Sequence, residues 1–251
     1  MSTLLVPYYE HPAVRPAEWA AVLAAAPRLY GVVLNPASGP GDRPDAAFAR
    51  TAAGLRAAGV TVLGYVDTGY GRRTHDDVVR DLARHRTWYG TEGAFLDQVS
   101  SGIGEFGHYE RLAAAARALG CPTLALNHGT RPHPAYAALA ELLVTFEGPW
   151  SAYRHTPARA PAPAPGALAC HLVYGVPPGA DVAAAARARG ARVHCAVPGD
   201  GPHPGAHCPT ACTRPADTRP RARTTGPSGR GPAPRAPSSP PSPPGRRTRP
   251  R

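Results

Sequence analysis

The sequence predicts an α/β fold, a (β/α)8 barrel of the TIM type over residues 1–197, and three observations point there. Eight short apolar runs recur at a spacing of roughly 20–35 residues, the repeat length of a strand–helix unit in such barrels. Between them lie segments with helical periodicity or Ala-rich composition, and strands alternating with helices build right-handed βαβ units on a parallel sheet. Two of the runs, Gly93–Asp97 and Leu142–Glu147, close on a carboxylate. An acid is costly to bury at a strand end without a task or a partner. In a parallel barrel, those ends form the rim where chemistry is done.

The first run, Leu4–Tyr9, is followed by a helical stretch over Glu18–Ala25. Leu29–Leu34 is the second and leads into the loop Asn35–Gly41. Asp45–Ala58 reads as helix stopped by Gly59, and Val60–Val66 is the third run. Thr74–Tyr89 is the strongest helix. Thr74 and Asp77 make an N-cap pair, and Val78, Leu82, His85 and Tyr89 share a face. Gly93–Leu96 is the fourth run, and Phe106–Leu119 a helix ended by Gly120. Thr123–Leu126, the fifth, closes on Asn127, with a short helix over His133–Ala140. Leu142–Phe146 is the sixth. Residues 149–168 read as loop, because Pro157, Pro161, Pro163 and Pro165 oppose helix. Cys170–Val176 is the seventh run, Ala180–Arg189 a helix stopped by Gly190, and Arg192–Val197 the eighth run. No helical pattern follows it, so an incomplete C-terminal closure is expected.

Beyond Val197 the apolar pattern stops. Residues 201–251 hold 14 of the 32 prolines and 10 of the 28 basic residues against one acid, Asp217, so the net charge of +11 belongs almost entirely to them. This composition predicts a disordered Pro/Arg-rich tail over 198–251. A shift of reading frame near residues 194–200 of a GC-rich gene would produce such a tail. With the folded part nearly neutral, a pI near 10.0 does not indicate a specific nucleic-acid partner.

The five cysteines are odd in number and sparse, unlike a disulfide framework. Cys121 and Cys170 read as core residues. Cys208 and Cys212 lie near His203 and His207, but in Pro-rich sequence that offers no scaffold for a closed zinc site. His75, His85 and His108 are expected on exposed helix surface. The Asn35–Gly41 loop has no Lys and no Gly-x-Gly-x-x-Gly spacing, so it is not a phosphate cradle. No metal and no organic cofactor is expected. The N-terminus shows no signal-peptide pattern and no apolar stretch reaches the roughly 20 residues of a membrane span. The expectation is a cytoplasmic monomer, with secretion by another route left open.

Six segments occur in the order found in one family: Leu34-Asn-Pro-Ala-Ser-Gly-Pro-Gly41, Gly64-Tyr-Val-Asp-Thr-Gly-Tyr-Gly-Arg72, Trp88-Tyr-Gly90, Gly93-Ala-Phe-Leu-Asp97, Leu126-Asn-His-Gly-Thr130 and Val144-Thr-Phe-Glu147. Together they resemble the spherulation-specific (spherulin-like) family over roughly residues 4–197. The resemblance implies a (β/α)8 barrel and, from characterised fungal relatives, a glycoside hydrolase acting on galactosamine-containing polysaccharide (galactosaminogalactan). Three departures stand out. The family's Asp-Glu pair after the fourth strand is Asp97-Gln98 here. The secretory signal of the fungal enzymes is not visible. The family's ending, an eighth strand closing on Thr-Asp and an Asn-Pro-Tyr-like stretch, is not recognisable after Val193.

Hydrolysis of a glycosidic bond commonly uses two carboxyl groups that flank it. Asp97 and Glu147 are the expected catalytic pair, facing each other across the mouth. Glu147 is the candidate general acid because Phe146 and Trp150 would supply apolar surroundings that raise its pKa. Tyr8, Tyr65, Tyr70 and Trp150 are candidate sugar-stacking residues; Trp88, at a helix end, reads as packing. Asn35 and Asn127 either bind substrate hydroxyls or cap turns. Arg72 is expected beside Asp97 or another acid. Gln98 can hydrogen-bond sugar but cannot exchange a proton. The expected function is hydrolysis of an amino-sugar polysaccharide; the alternative is a non-catalytic carbohydrate-binding barrel.

Overall fold

The computed structural model describes residues 3–157, 166–199 and 207–213. Eight parallel strands close into a barrel in sequence order: β1 (Thr3–Pro7), β2 (Leu29–Leu34), β3 (Val62–Asp67), β4 (Gly93–Asp97), β5 (Thr123–Asn127), β6 (Leu142–Pro149), β7 (Leu168–Tyr174) and β8 (Val193–Ala196). Closure is complete. β8 pairs with β1 through Thr3 opposite Val193 and Leu4 opposite His194, which corrects the expectation of an incomplete end. The helices are α1 (Pro16–Ala24), α2 (Ala46–Ala57), α3 (His75–Tyr89), α4 (Phe106–Ala118), the single turn α5 (Trp150–Tyr153), α6 (Val182–Ala188) and the single turn α7 (Thr210–Thr213). None of them is long and apolar enough to cross a membrane.

Strand parity builds two cores. Leu5, Val33, Leu63, Tyr65, Phe95, Ala125, Leu142, Val144, Cys170, Leu172, Val193 and Cys195 point inward and fill the barrel. Their sequence neighbours point outward against the helices. A side-chain period of two permits no other arrangement within a regular strand. The helices start where the chain supplies caps. Asp45 accepts from the backbone N–H groups of Ala47 and Phe48 at the start of α2. Thr74 accepts from the Asp77 N–H at 3.2 Å and donates to its carboxylate at 2.7 Å, as the sequence predicts. The expected helix at His133–Ala140 is a 3-10 turn, Pro134–Ala138.

His85 lies in α3 with 1% exposure, not on the surface. Burial pushes its pKa down to about 4, so the ring is neutral. Its Nε2–H donates to the Tyr65 carbonyl at 2.7 Å. The pairing of β3 with β2 ends at Gly64, so this carbonyl needs another partner on that side. The ring can approach only because residue 64 is glycine: a Cβ there would lie 2.5 Å from His85 Cγ. Gly64→Ala is therefore expected to cost about 1–3 kcal/mol by overpacking. The unfolding midpoint followed by circular dichroism should fall by several degrees; an unchanged midpoint would contradict this packing.

The stretch 149–168 is not all loop. α5 covers the outside of β6 and β7, where the Tyr153 hydroxyl bonds His171 Nδ1 at 2.8 Å and Arg189 stacks over the Tyr153 ring. Residues 158–165 lie outside the described residues. Residues 207–213 fall within the stretch expected as a disordered tail, yet they pack on the barrel. Cys212 is buried against the cluster that holds Leu4, Tyr8 and Trp19, with Cys208 and Ala211 beside it. Cys208 precedes the turn α7 and Cys212 lies within it, and both face the same apolar cluster. This turn occupies the place on α1 where an eighth barrel helix was missing from the pattern. Residues 200–206, His203 among them, and residues 214–251 lie outside the described residues.

Candidate active site

The C-terminal ends of β3, β4, β5 and β6 bring four polar side chains to one side of the mouth: Asp67, Asp97, Asn127 and Glu147. Asp97 is the last residue of β4 and has the inward parity of Phe95. Asn127 ends β5 with the parity of Ala125. Asp67 stands directly opposite Asp97 in the β3–β4 register.

Glu147 arrives differently. It does not end its strand, because β6 continues to Pro149. Val144 points into the barrel, yet Phe146, two residues on, packs outside against Tyr153 at 4.7 Å. The register slips between Val144 and Phe146, leaving Thr145 as an extra residue. Such a bulge reverses the faces that follow it. Glu147 then stands opposite the inward Leu172 and points into the mouth.

The amide of Asn127 joins the two acids. Its Nδ2 donates to Asp97 Oδ1 at 2.7 Å and to Glu147 Oε2 at 2.6 Å, and its Oδ1 accepts from the Gly129 N–H at 3.0 Å. The Gly129 bond fixes which end of the amide faces the acids. The Tyr65 hydroxyl donates to Asp97 Oδ2 at 2.7 Å. Both oxygens of Asp97 therefore hold a donor, whereas Oε1 of Glu147 has no partner among the described residues.

Burial raises the pKa of both acids. For Asp97 the bonds from Tyr65, the Gln98 backbone and Asn127 oppose that rise, while the charge of Asp67 adds to it. For Glu147 the Asn127 bond opposes burial, and the charge of Asp97 adds to it. Two side-chain donors on Asp97 favour its carboxylate form, against one on Glu147. This replaces the expected cause. Phe146 and Trp150 face the outer layer and do not surround Glu147.

The remaining candidates divide. Tyr65 is in the mouth, but as a hydrogen-bond donor to Asp97 with its ring stacked on Phe95. Tyr8 is not in the mouth. It is 2% exposed, on the outward parity of β1, against Trp19 at 5.2 Å. Tyr9 takes its place, with its ring 5.7 Å from that of Tyr65 and a hydroxyl pKa raised by burial and by Asp97. Asn35 caps its own loop by accepting from the Gly39 N–H at 2.8 Å. Trp88 packs at the end of α3 under Arg84. Arg72 pairs with no acid among the described residues and lies over the Tyr70 ring; Arg73 instead donates to the Asp67 carbonyl and pairs with Asp81 at 2.8 Å. Gln98 adopts φ 51°, and its amide Nε2 approaches Asp67 Oδ2 at 3.3 Å. Sequence reasoning missed Asp67 and Tyr9. Asp67 closes an apolar run on a carboxylate as Asp97 does, and Tyr9 shares the parity of Leu5; both signals were available. Among the described residues no group of three or more His, Cys, Asp or Glu side chains is placed to hold a metal ion.

Fold and mouth together define the class: a closed (β/α)8 barrel with a carboxyl pair held on one amide at the C-terminal ends of its strands. The profile of spherulation-specific family 4 matches residues 3–194, and the chain belongs to that family. It is 36% identical over 149 residues to spherulin-4 of Physarum polycephalum, a match that takes in 57% of this chain and 44% of that protein. The chain thus spans less than half of that relative's length. Among solved structures it is similar to Aspergillus clavatus Sph3 in complex with GalNAc, with a TM-score of 0.72 and 22% identity over 82% of this chain and 92% of Sph3. That likeness is one of fold.

Proposed function

We propose that the barrel hydrolyses glycosidic bonds of a galactosamine-containing polysaccharide, with Asp97 as nucleophile and Glu147 as general acid and base. The observation that carries this reading is the Asn127 bridge. Its two bonds, 2.7 and 2.6 Å, hold the joined oxygens no more than about 5.3 Å apart, which is short of the roughly 6.5–9.5 Å of inverting enzymes and favours the closer carboxyl pair of retaining ones. Glu147, protonated and with Oε1 unengaged, gives its proton to the departing glycosidic oxygen as the Asp97 carboxylate bonds to the anomeric carbon. Glu147 then takes a proton from water, whose oxygen displaces Asp97 and leaves a hemiacetal of the original configuration. Tyr65 and Asn127 stabilise Asp97 as the ionised nucleophile and leaving group. The carboxyl pair at the strand ends supports the reaction class, and the GalNAc bound by Sph3 supports the choice of sugar.

Gln98 invites the alternative, a barrel that binds sugar without cleaving it. Its amide faces Asp67 rather than either member of the pair, so its neutrality leaves Asp97 and Glu147 as they are. The test is release of reducing ends from partly deacetylated galactosaminogalactan by the full chain and by its Asp97→Asn form, with the product anomer read by proton NMR. Release by the wild type alone, with retained configuration, is expected. Binding without release would favour the alternative, and an inverted product would remove Asp97 as nucleophile.

A further inference from the structure

The loop after β3 carries an aromatic residue in a conformation such residues rarely adopt. Gly69, Tyr70 and Gly71 all have positive φ, at 56°, 58° and 83°. Glycine enters this region freely, but a bulky side chain does so only when its surroundings enforce it. Here they do. The Gly69 N–H donates to Asp67 Oδ1 at 2.7 Å, the Tyr70 N–H to the Gln98 carbonyl at 2.7 Å, and the Gly71 N–H to the Thr68 carbonyl at 3.1 Å. The Thr68 hydroxyl donates to the carbonyls of Asp97 and Gln98. The turn is thus fastened to the residue that follows Asp97.

This fastening does not bury the ring: Tyr70 is 51% exposed. Arg72 lies 5.5 Å from the ring centroid and covers one face as a cation–π partner. With half of the residue exposed, ring surface remains for a ligand beside Arg72. A glycine would fit the backbone better, so the side chain has a use that folding does not explain.

We propose that Tyr70 is the platform of a second sugar subsite, which seats a pyranose ring of the polymer outside the cleavage point and makes the barrel selective for long chains. The inference rests on the hydrolase reading above. A pyranose presents an apolar face of C–H groups rimmed by hydroxyls, and an aromatic ring held rigid is suited to stack on it. Arg72 steadies the ring from behind and can donate to hydroxyls at its edge.

The variant that isolates the ring is Tyr70→Gly, which keeps the left-handed turn and removes its strain; its unfolding midpoint should match or exceed that of the wild type. On the full chain, kcat/KM is measured for galactosaminogalactan and for a trisaccharide of the same linkage. Tyr70→Gly should lower the ratio of the two values about tenfold, the scale of one aromatic stacking contact, and Tyr70→Phe should keep the wild-type ratio. An unchanged ratio in Tyr70→Gly overturns the subsite while leaving the hydrolase reading intact. Polymer affinity of Glu147→Gln, with and without Tyr70→Gly, provides a measure independent of turnover. If the wild type cleaves neither substrate, the hydrolase reading fails. A weaker affinity on removal of the ring would then still support the platform, and equal or absent binding would overturn it.

Discussion

Glu147→Gln is expected to abolish hydrolysis and to make the barrel more stable at neutral pH. General acid–base catalysis contributes about 10²–10⁴-fold, and the loss of turnover should be of that order or larger, because glutamine can neither protonate the leaving oxygen nor activate water. The gain in stability follows from the same placement. Burial and the charge of Asp97 raise the pKa of Glu147 above its ordinary value of 4.5. A carboxyl whose folded pKa is raised contributes stability below its unfolded pKa, and that contribution is lost as pH rises through the folded value. As pH rises and Glu147 gives up its proton, the wild type acquires a second negative charge beside Asp97 on the same amide. Glutamine keeps an oxygen to accept from Asn127 and carries no charge. A gain of about 1 kcal/mol is expected, or roughly 2–4 °C in the unfolding midpoint for a domain of this size. Measured from pH 4 to 8, the difference between variant and wild type should grow with pH. A difference independent of pH would mean that the charge of Glu147 is not what strains the mouth.

Asn127→Ala is expected to move the titration of both acids together. The amide lowers the pKa of Asp97 and of Glu147, so its removal lets both rise further. The bell of kcat/KM against pH should shift upward on both limbs, reporting macroscopic values of the pair. Loss of a preorganised donor should also lower the maximum about 100-fold. A curve of wild-type position and reduced height would show that Asn127 contributes only to substrate binding or folding.

Much of the fold was legible because the inward strand residues are apolar and their parity is strict. Asp97 could be placed from sequence because β4 is regular from Phe95 onward. Closure was harder to read: the last seam rests on two residue pairs between β1 and β8, too short to leave a pattern. The outer layer near Cys212 was hidden because a four-residue helical turn has no periodicity to detect. Tyr8 was misplaced by one position, which in a strand means the opposite face; Leu4, Val6 and Tyr8 pack outside, and Tyr9 reaches the mouth. The inward aim of Glu147 was illegible for a different reason. Strict alternation from Val144 would place Phe146 inside and Glu147 outside, and only the register of β6 against β7 reveals the extra residue between Val144 and Phe146.

That extra residue ties the site to backbone geometry as well as residue identity. With two residues between Val144 and Glu147, an unbulged strand would turn Phe146 into the mouth and the carboxyl group toward the helices. With one residue fewer and no bulge, plain alternation would aim the carboxyl group inward again. A relative that lacks Thr145 can therefore keep its inward acid, whereas one that keeps every residue of β6 but pairs it with β7 without the slip loses it. In comparing relatives, the residue count between Val144 and Glu147 has meaning only together with the register of the strand.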